Sequence, residues 1–290
     1  MTTTDGTFEV WPGPMEGVAS PAFVRAVNAL DLVSVWMTPF IRLSSALPRK
    51  SKIAAFLSPF LESRKPVTAQ LMGVDAELLA ECAKVCLELG AAAININFGC
   101  PSRRVVHGGA GGGALKDPER AAELLAAVGA ALPGVPLSVK MRAGFAEFAE
   151  IGAILPRLVE TGAAEKFFVH CRAVKEQYLP IHGRDERFAA VMRLGAGARI
   201  VLNGDLADAD DARAVLRRTG CAGVMCARFW MRDPFLLRRI EGESVPGPEE
   251  GRELFYRELV RSGVGGGALI ELARMLYGAD HPRFRELVAR

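Results

Sequence analysis

The stretch VTAQLMGVDAELLAECAKVCLELGAAAININ, residues 67–97, carries the reading on which the fold turns. Residues 67–72 form an apolar run of strand length, and residues 75–89 repeat apolar side chains at helical spacing. Gly90 supplies a helix stop, and residues 93–97 return to strand texture. An apolar strand, a helix and a second such strand, joined by short turns, make the unit from which parallel sheets are built.

The same unit recurs in both directions. Apolar runs stand at 8–11, 32–37, 67–72, 93–97, 137–141, 167–170, 200–203 and 224–226, with helix-period segments at 21–30, 75–89, 118–132, 148–160, 185–194 and 209–217. Helix-start signals lie at 116–118 and 206–211, and Gly162 and Gly220 join Gly90 as stops. Eight strands alternating with helices predict an α/β fold, a TIM (β/α)8 barrel rather than an open sheet. No dinucleotide-binding glycine fingerprint follows the first strand, and the glycine-rich run 108–113 matches no P-loop and reads as a flexible loop. The segment GESVPGPEEG, residues 242–251, reads as a linker. The expected organisation is a barrel over 1–240 and a small C-terminal helical domain over 241–290, too short to stand without the barrel.

Composition narrows the class. The chain has 290 residues, half of them hydrophobic, yet no stretch approaches the roughly 18 apolar residues of a membrane span. The opening MTTTDGTFEV lacks the basic start and apolar core of a signal peptide, so a cytoplasmic monomer without membrane contact is expected. Cysteines at 82, 86, 100, 171, 221 and 226 are spaced for neither a zinc site nor a disulfide framework, and no metal is expected. Cys82 and Cys86, four apart on a helix, read as packed small residues. A formal net charge of +3 does not by itself imply nucleic acid.

In such a barrel the working residues stand where strands end. Those positions hold 13–16, 38–42, Gln70, 97–100, Lys140 with Arg142, His170 with Arg172, 203–205 and 227–228, a polar set on one rim. Their chemistry suggests a flavin. Asn203, Gly204, Ala227 and Arg228 occupy the loops after strands 7 and 8, the usual phosphate-binding place, while Lys140 and Gln70 are placed to reach a flat heterocycle. A cation near flavin N1 and O2 stabilises the anion formed on two-electron reduction.

Seven motifs carry a family resemblance: GPMEGVAS (13–20), AQLMG (69–73), NFGCPSRRVVHGGAGGGALKDP (97–118), SVKMRAGF (138–145), VHCRAVKEQY (169–178), NGDL (203–206) and GVMCAR (223–228). In this order, over about residues 10–240, the chain resembles the tRNA-dihydrouridine synthases, FMN enzymes that reduce uridine in tRNA, and most of all the bacterial branch acting at position 16. The resemblance implies that Pro14 and Met15 pack against the flavin and that Gln70, Lys140 and His170 bond its ring or ribityl chain. It further implies that Asn203, Gly204, Asp205, Ala227 and Arg228 hold the ribityl and phosphate end, and that Asn97 positions the uracil. Cys100 is then the general acid, with NADPH as reductant, hydride passing from N5 to uracil C6 and a proton to C5.

The carbon taking the proton lies on the face away from the flavin, so the acid is expected on a mobile loop whose glycines permit closure. An ordinary thiol, with a pKa of about 8.5, stays largely protonated near neutrality. Departures from the family pattern are Asn95 in place of an acid, Thr38-Pro39, Cys171, Ala173, Ala227-Arg228-Phe229 in place of Gly-Arg-Gly, and a short C-terminal appendage.

Basic residues after strand 2 (Arg42, Arg49, Lys50, Lys52, Arg64, Lys65), strand 4 (Arg103, Arg104) and strand 6 (Arg172, Lys175, Arg184) are expected to form a tRNA-phosphate surface on the active rim. Arg103, Arg104, Arg172, Lys175 and Tyr178 are the expected substrate contacts beyond Asn97. Two other readings stay open: an FMN barrel acting on a small molecule such as a free pyrimidine, and a tRNA-binding protein without catalysis.

Overall fold

The alternation closes on itself. In the computed structural model, which describes residues 8–289, the parallel strands are β1 (Glu9–Pro12), β2 (Trp36–Arg42), β3 (Val67–Met72), β4 (Ala93–Phe98), β5 (Leu137–Gly144), β6 (Lys166–Ala173), β7 (Arg199–Asn203) and β8 (Gly223–Cys226). Their order is β1-β8-β7-β6-β5-β4-β3-β2, so the first and last strands pair, Trp11 opposite Met225. No ladder joins β1 to β2 among the described residues. This is the (β/α)8 barrel.

Helices at Pro21–Ala29, Ala76–Glu88, Pro118–Ala131, Ile151–Glu160, Arg184–Leu194 and Ala209–Thr219 return the chain between strands. Their starts follow local chemistry: the side chains of Ser20, Asp75, Asp117 and Asp208 each accept a hydrogen bond from a first-turn backbone N–H. Gly90, Gly162 and Gly220 adopt positive φ where helices stop.

Two expectations need correction. Strand 2 was expected at 32–37 and runs over Trp36–Arg42, because Leu32 and Val33 are buried in the turn before the strand. Pro39, which argues against a strand, sits where the pairing with β3 slips between Met37 and Phe40, so its missing N–H costs no ladder bond. Lys50–Leu61 is a helix that the sequence pattern hid, with Pro59 inside it and no side-chain cap at Arg49. Arg64 and Lys65 therefore follow that helix and precede β3, at the opposite end of the barrel from the strand C-termini. Lys65 is held there by Asp31 and the Val33 carbonyl.

Alternation sorts the side chains. Outward residues such as Leu71, Ile94, Ile96 and Val139 join the helices in one core, while Trp11, Met37, Phe168, Val201 and Met225 form a separate apolar plug inside the barrel. Below the plug Glu9 pairs with Lys166 at 2.8 Å and Arg199 at 2.6 Å, closing the N-terminal end. The rest of the interior is polar: Thr38, Thr68, Gln70, Asn95, Asn97 and Ser138 are all buried.

The C-terminal helices, Pro248–Arg261, Gly266–Tyr277 and Pro282–Val288, pack on this body. Phe255 meets Phe23 edge-on at 5.7 Å, and Phe255, Leu259, Leu272 and Leu276 belong to the same core as the barrel helices. Each such buried side chain is worth about 1.5–3 kcal/mol. Among the described residues no helix is long and apolar enough to cross a membrane.

Candidate active site

Inward alternation aims Gln70, Asn97, Lys140, His170 and Asn203 at one space above the plug. Strand register sets them side by side, with Asn97 opposite Lys140, Arg142 opposite His170, and His170 opposite Asn203. Together with Pro14, Met15, Gly204, Asp205, Ala227 and Arg228 from the turns after β1, β7 and β8, they line a cavity of ≈ 330 Å³ at the strand C-termini. Cys100 and Tyr178 line the same cavity from the segments after β4 and β6.

The floor is a directed chain of hydrogen bonds. Asn97 Nδ2 donates to Gln70 Oε1 (2.8 Å), Gln70 Nε2 to Asn95 Oδ1 (2.8 Å), Asn95 Nδ2 to Ser138 Oγ (2.9 Å), and Ser138 Oγ to the Ile94 carbonyl (3.2 Å). An asparagine at 95 both accepts and donates in this chain, whereas an ionised carboxylate only accepts. The direction of the chain frees Asn97 Oδ1 to accept from the backbone N–H groups of Gly99 (2.9 Å) and Cys100 (3.0 Å).

Cys100 is thus on a capped turn, not a free loop. Its carbonyl accepts from Gly112 N at 3.0 Å, and Gly111, Gly112 and Gly113 are buried. A Cβ on Gly112 would lie 2.5 Å from Val174 Cγ2, and one on Gly113 would lie 2.7 Å from the Val106 carbonyl oxygen. In the run 108–113, which was expected to be flexible, Gly111, Gly112 and Gly113 stand where packing leaves no room for side chains, while Gly108 and Gly109 have ordinary space around them.

Charge in the cavity is mostly positive. The Lys140 ammonium has neither a hydrogen-bond nor a carboxylate partner among the described residues, and burial, then repulsion from Arg142, lowers its pKa to about 8. Burial likewise lowers Arg142 to about 10; its guanidinium donates to the Ala173 and Gln177 carbonyls, both at 2.8 Å. His170 is held well below the usual imidazole range by burial and by the surrounding cations, Arg142 first. Asp205, in the left-handed region at φ +43, bridges Arg172 and Arg228, each at 2.5 Å. Gly204 before it has no room for a Cβ, which would lie 2.5 Å from Cys171 Sγ.

The expected substrate contacts divide. Tyr178 is 63% exposed at the cavity mouth, with the Arg142 and Arg228 guanidinium carbons 5.7 and 5.9 Å from its ring centre. Arg103, Arg104 and Lys175 are exposed, without ion pairs among the described residues, and lie outside the cavity lining. Arg172 is a correction: it is 1% exposed, its guanidinium spent on Asp205, the Leu179 carbonyl and His170, so it presents nothing to a phosphate backbone. Arg184 is likewise spent, on Asp211 and the Asp205 carbonyl.

Arg142 and Phe40, which stand among the strand-end residues without an assigned role, and Phe229 of the last turn also line the cavity, as does Met275, which was not expected there. Arg142 had a signal, two places beyond Lys140 on the same strand face. Met275, on the helix Gly266–Tyr277, had none, because only the packing of the C-terminal helices brings it to the rim.

This constellation agrees with comparison to known proteins. The family model for dihydrouridine synthase (Dus) matches residues 12–258. The chain belongs to the dihydrouridine synthase family. Dihydrouridine synthases are FMN-dependent oxidoreductases. Among its relatives, tRNA-dihydrouridine synthase B of Pseudomonas syringae pv. tomato is 31% identical over 81% of this chain and 68% of its own length. The tRNA-dihydrouridine(16) synthase of the same organism is 30% identical over 80% of this chain and 75% of its own. A solved structure of a morphinone reductase mutant in complex with tetrahydroNAD superposes with a TM-score of 0.55 at 12% identity, over 85% of this chain and 90% of that one; at this identity the likeness is one of fold.

Proposed function

We propose that this dihydrouridine synthase binds FMN in the cavity above the barrel plug and uses it, with NADPH as reductant, to reduce the C5–C6 double bond of a uridine in tRNA. The observation that carries the reading is the Lys140 ammonium, half-buried in the cavity without a hydrogen-bond or carboxylate partner among the described residues and sharing that cavity with a thiol on a capped turn. An unpaired buried cation is costly unless its site takes an anionic group.

The residues present fit the cofactor. Gln70, Lys140 and His170 would bond its ring and ribityl chain, Pro14 and Met15 would pack against it, and Asn203, Gly204, Asp205, Ala227 and Arg228 would hold the ribityl and phosphate end. Bound and reduced, the flavin supplies the hydride that uracil C6 receives. The protein does the rest. Lys140 would offset negative charge on the bound ring, Asn97 would orient the uracil, and Cys100 would give its thiol proton to C5.

The tRNA reading rests on cations left over after internal pairing. Arg42 ends β2; Arg49, Arg103, Arg104, Lys116, Lys175 and Arg232 follow β2, β4, β6 and β8; and all are without ion pairs among the described residues, so the end of the barrel that holds the cavity carries charge available to phosphates. Lys116 and Lys175 both lie against the Phe145 ring, at 4.6 and 5.6 Å. The target is proposed to be U16, on the likeness of GPMEGVAS and GCPS to that branch. FMN added to the purified protein should bind and be bleached by NADPH; a protein that neither binds FMN nor supports its reduction refutes the cofactor assignment.

A further inference from the structure

Arg172, 1% exposed, is the most deeply buried charged side chain among the described residues, and neither hydride transfer nor protonation uses it. A guanidinium withdrawn from water needs every side satisfied, and here each side is. Nε donates to the Leu179 carbonyl at 2.6 Å, Nη2 to Asp205 at 2.5 Å, and Nη1 lies 3.2 Å from His170 Nε2. A guanidinium has only donors, so the imidazole nitrogen facing it must be an acceptor.

We propose that Arg172, locked by Asp205, is a positioning residue that holds His170 as the Nδ1–H tautomer, so that the ring offers its ligand a hydrogen-bond donor and not an acceptor. Since Nε2 accepts, a neutral ring carries its proton on Nδ1. Lys140, Arg142, Arg172 and Arg228 crowd the imidazole and oppose a second proton. The Cδ2 edge faces Gly204, where a Cβ would stand 3.6 Å away, and Nδ1 has no partner among the described residues. The lock is rigid because Asp205 is itself tied to Arg228.

The consequence deepens the flavin reading and rests on it for the identity of the ligand: His170 meets an oxygen or an unprotonated nitrogen of the cofactor, not an N–H. It also explains why Arg172 and His170 stand two apart on one strand face. The tautomer is a property of the protein alone and can be measured without FMN.

The test is long-range ¹H–¹⁵N correlation on FMN-free protein labelled at histidine, with His170 among the four histidines assigned from a His170→Gln sample. The wild type should show protonated Nδ1 and bare Nε2. Arg172→Met should convert the ring to the Nε2–H form or a mixture and weaken FMN binding by about tenfold, the worth of one neutral hydrogen bond. Arg172→Lys keeps a donor facing Nε2 and should retain the tautomer. Protonated Nε2 in the wild type overturns the proposal, with no variant needed; so does Arg172→Met with the wild-type tautomer. Loss of FMN binding by a wild type that shows the Nδ1–H form counts instead against the cofactor reading.

Discussion

The Oδ1 of Asn97 caps the turn that carries Cys100, taking the backbone N–H groups of Gly99 and Cys100 at 2.9 and 3.0 Å. One carboxamide thereby links the barrel floor to the thiol, and its orientation is set by its own donation to Gln70. Asn97→Ala leaves two partly buried N–H groups without their acceptor. Unfolding free energy should fall by about 1–3 kcal/mol, read from denaturant midpoints, and uridine reduction should slow while FMN still binds. Unchanged stability and turnover would show that the cap does not hold the turn.

Replacing the thiol separates chemistry from packing. Cys100→Ala removes a proton donor and little volume, so the variant should fold, bind FMN and be reduced by NADPH at the normal rate. Transfer from pre-reduced enzyme to tRNA uridine in a single turnover should slow by about 10²- to 10⁴-fold, the usual worth of a positioned acid. Near-normal transfer would leave Cys100 a packing residue only.

Lys140 sets a pH window. Burial lowers its folded-state pKa from 10.5 to about 8, so between those values the unfolded chain binds the extra proton and the group favours folding increasingly as pH rises. The charge that an anionic ligand needs behaves oppositely, being present below about 8 and lost above. Affinity for FMN should therefore fall by about tenfold per pH unit above 8 in the wild type, and be weaker and nearly flat in Lys140→Met. A flat wild-type profile by fluorescence titration would remove Lys140 from the binding machinery.

Phosphate contacts on the rim should be additive and salt-sensitive. Charge reversal at Arg103, Arg104 or Lys175 should weaken tRNA binding across tRNA sequences and reduce the slope of log affinity against log salt by about one for each phosphate no longer neutralised. Reversal at Arg64, placed before β3 at the other end of the barrel, should leave binding unchanged. Equal losses from Arg64 and Arg103 would show that the rim has no special part in binding.

The barrel was legible because its signals are local: strand-length apolar runs, Asp117 and Asp208 as caps, Gly90, Gly162 and Gly220 as stops. The cavity positions of Gln70, Lys140, His170 and Asn203 followed from standing at strand ends. What escaped depends on partners distant in sequence. The helix Lys50–Leu61 lacks a side-chain cap and contains Pro59, and without it Arg64 and Lys65 fall on the wrong rim. Arg172 reads like any loop arginine until Asp205, Leu179 and His170 close around it. Gly111, Gly112 and Gly113 look like freedom in one dimension and are tight packing in three.

Uridine reduction itself is tested most directly by mass-spectrometric mapping of dihydrouridine in an unmodified tRNA incubated with purified protein, FMN and NADPH. A two-dalton gain is expected at one uridine, proposed to be position 16; it should depend on all three components and not occur with free uridine. An FMN-loaded, NADPH-reducible protein that leaves every tRNA uridine unchanged, or that reduces a free pyrimidine as readily, would contradict the proposed function.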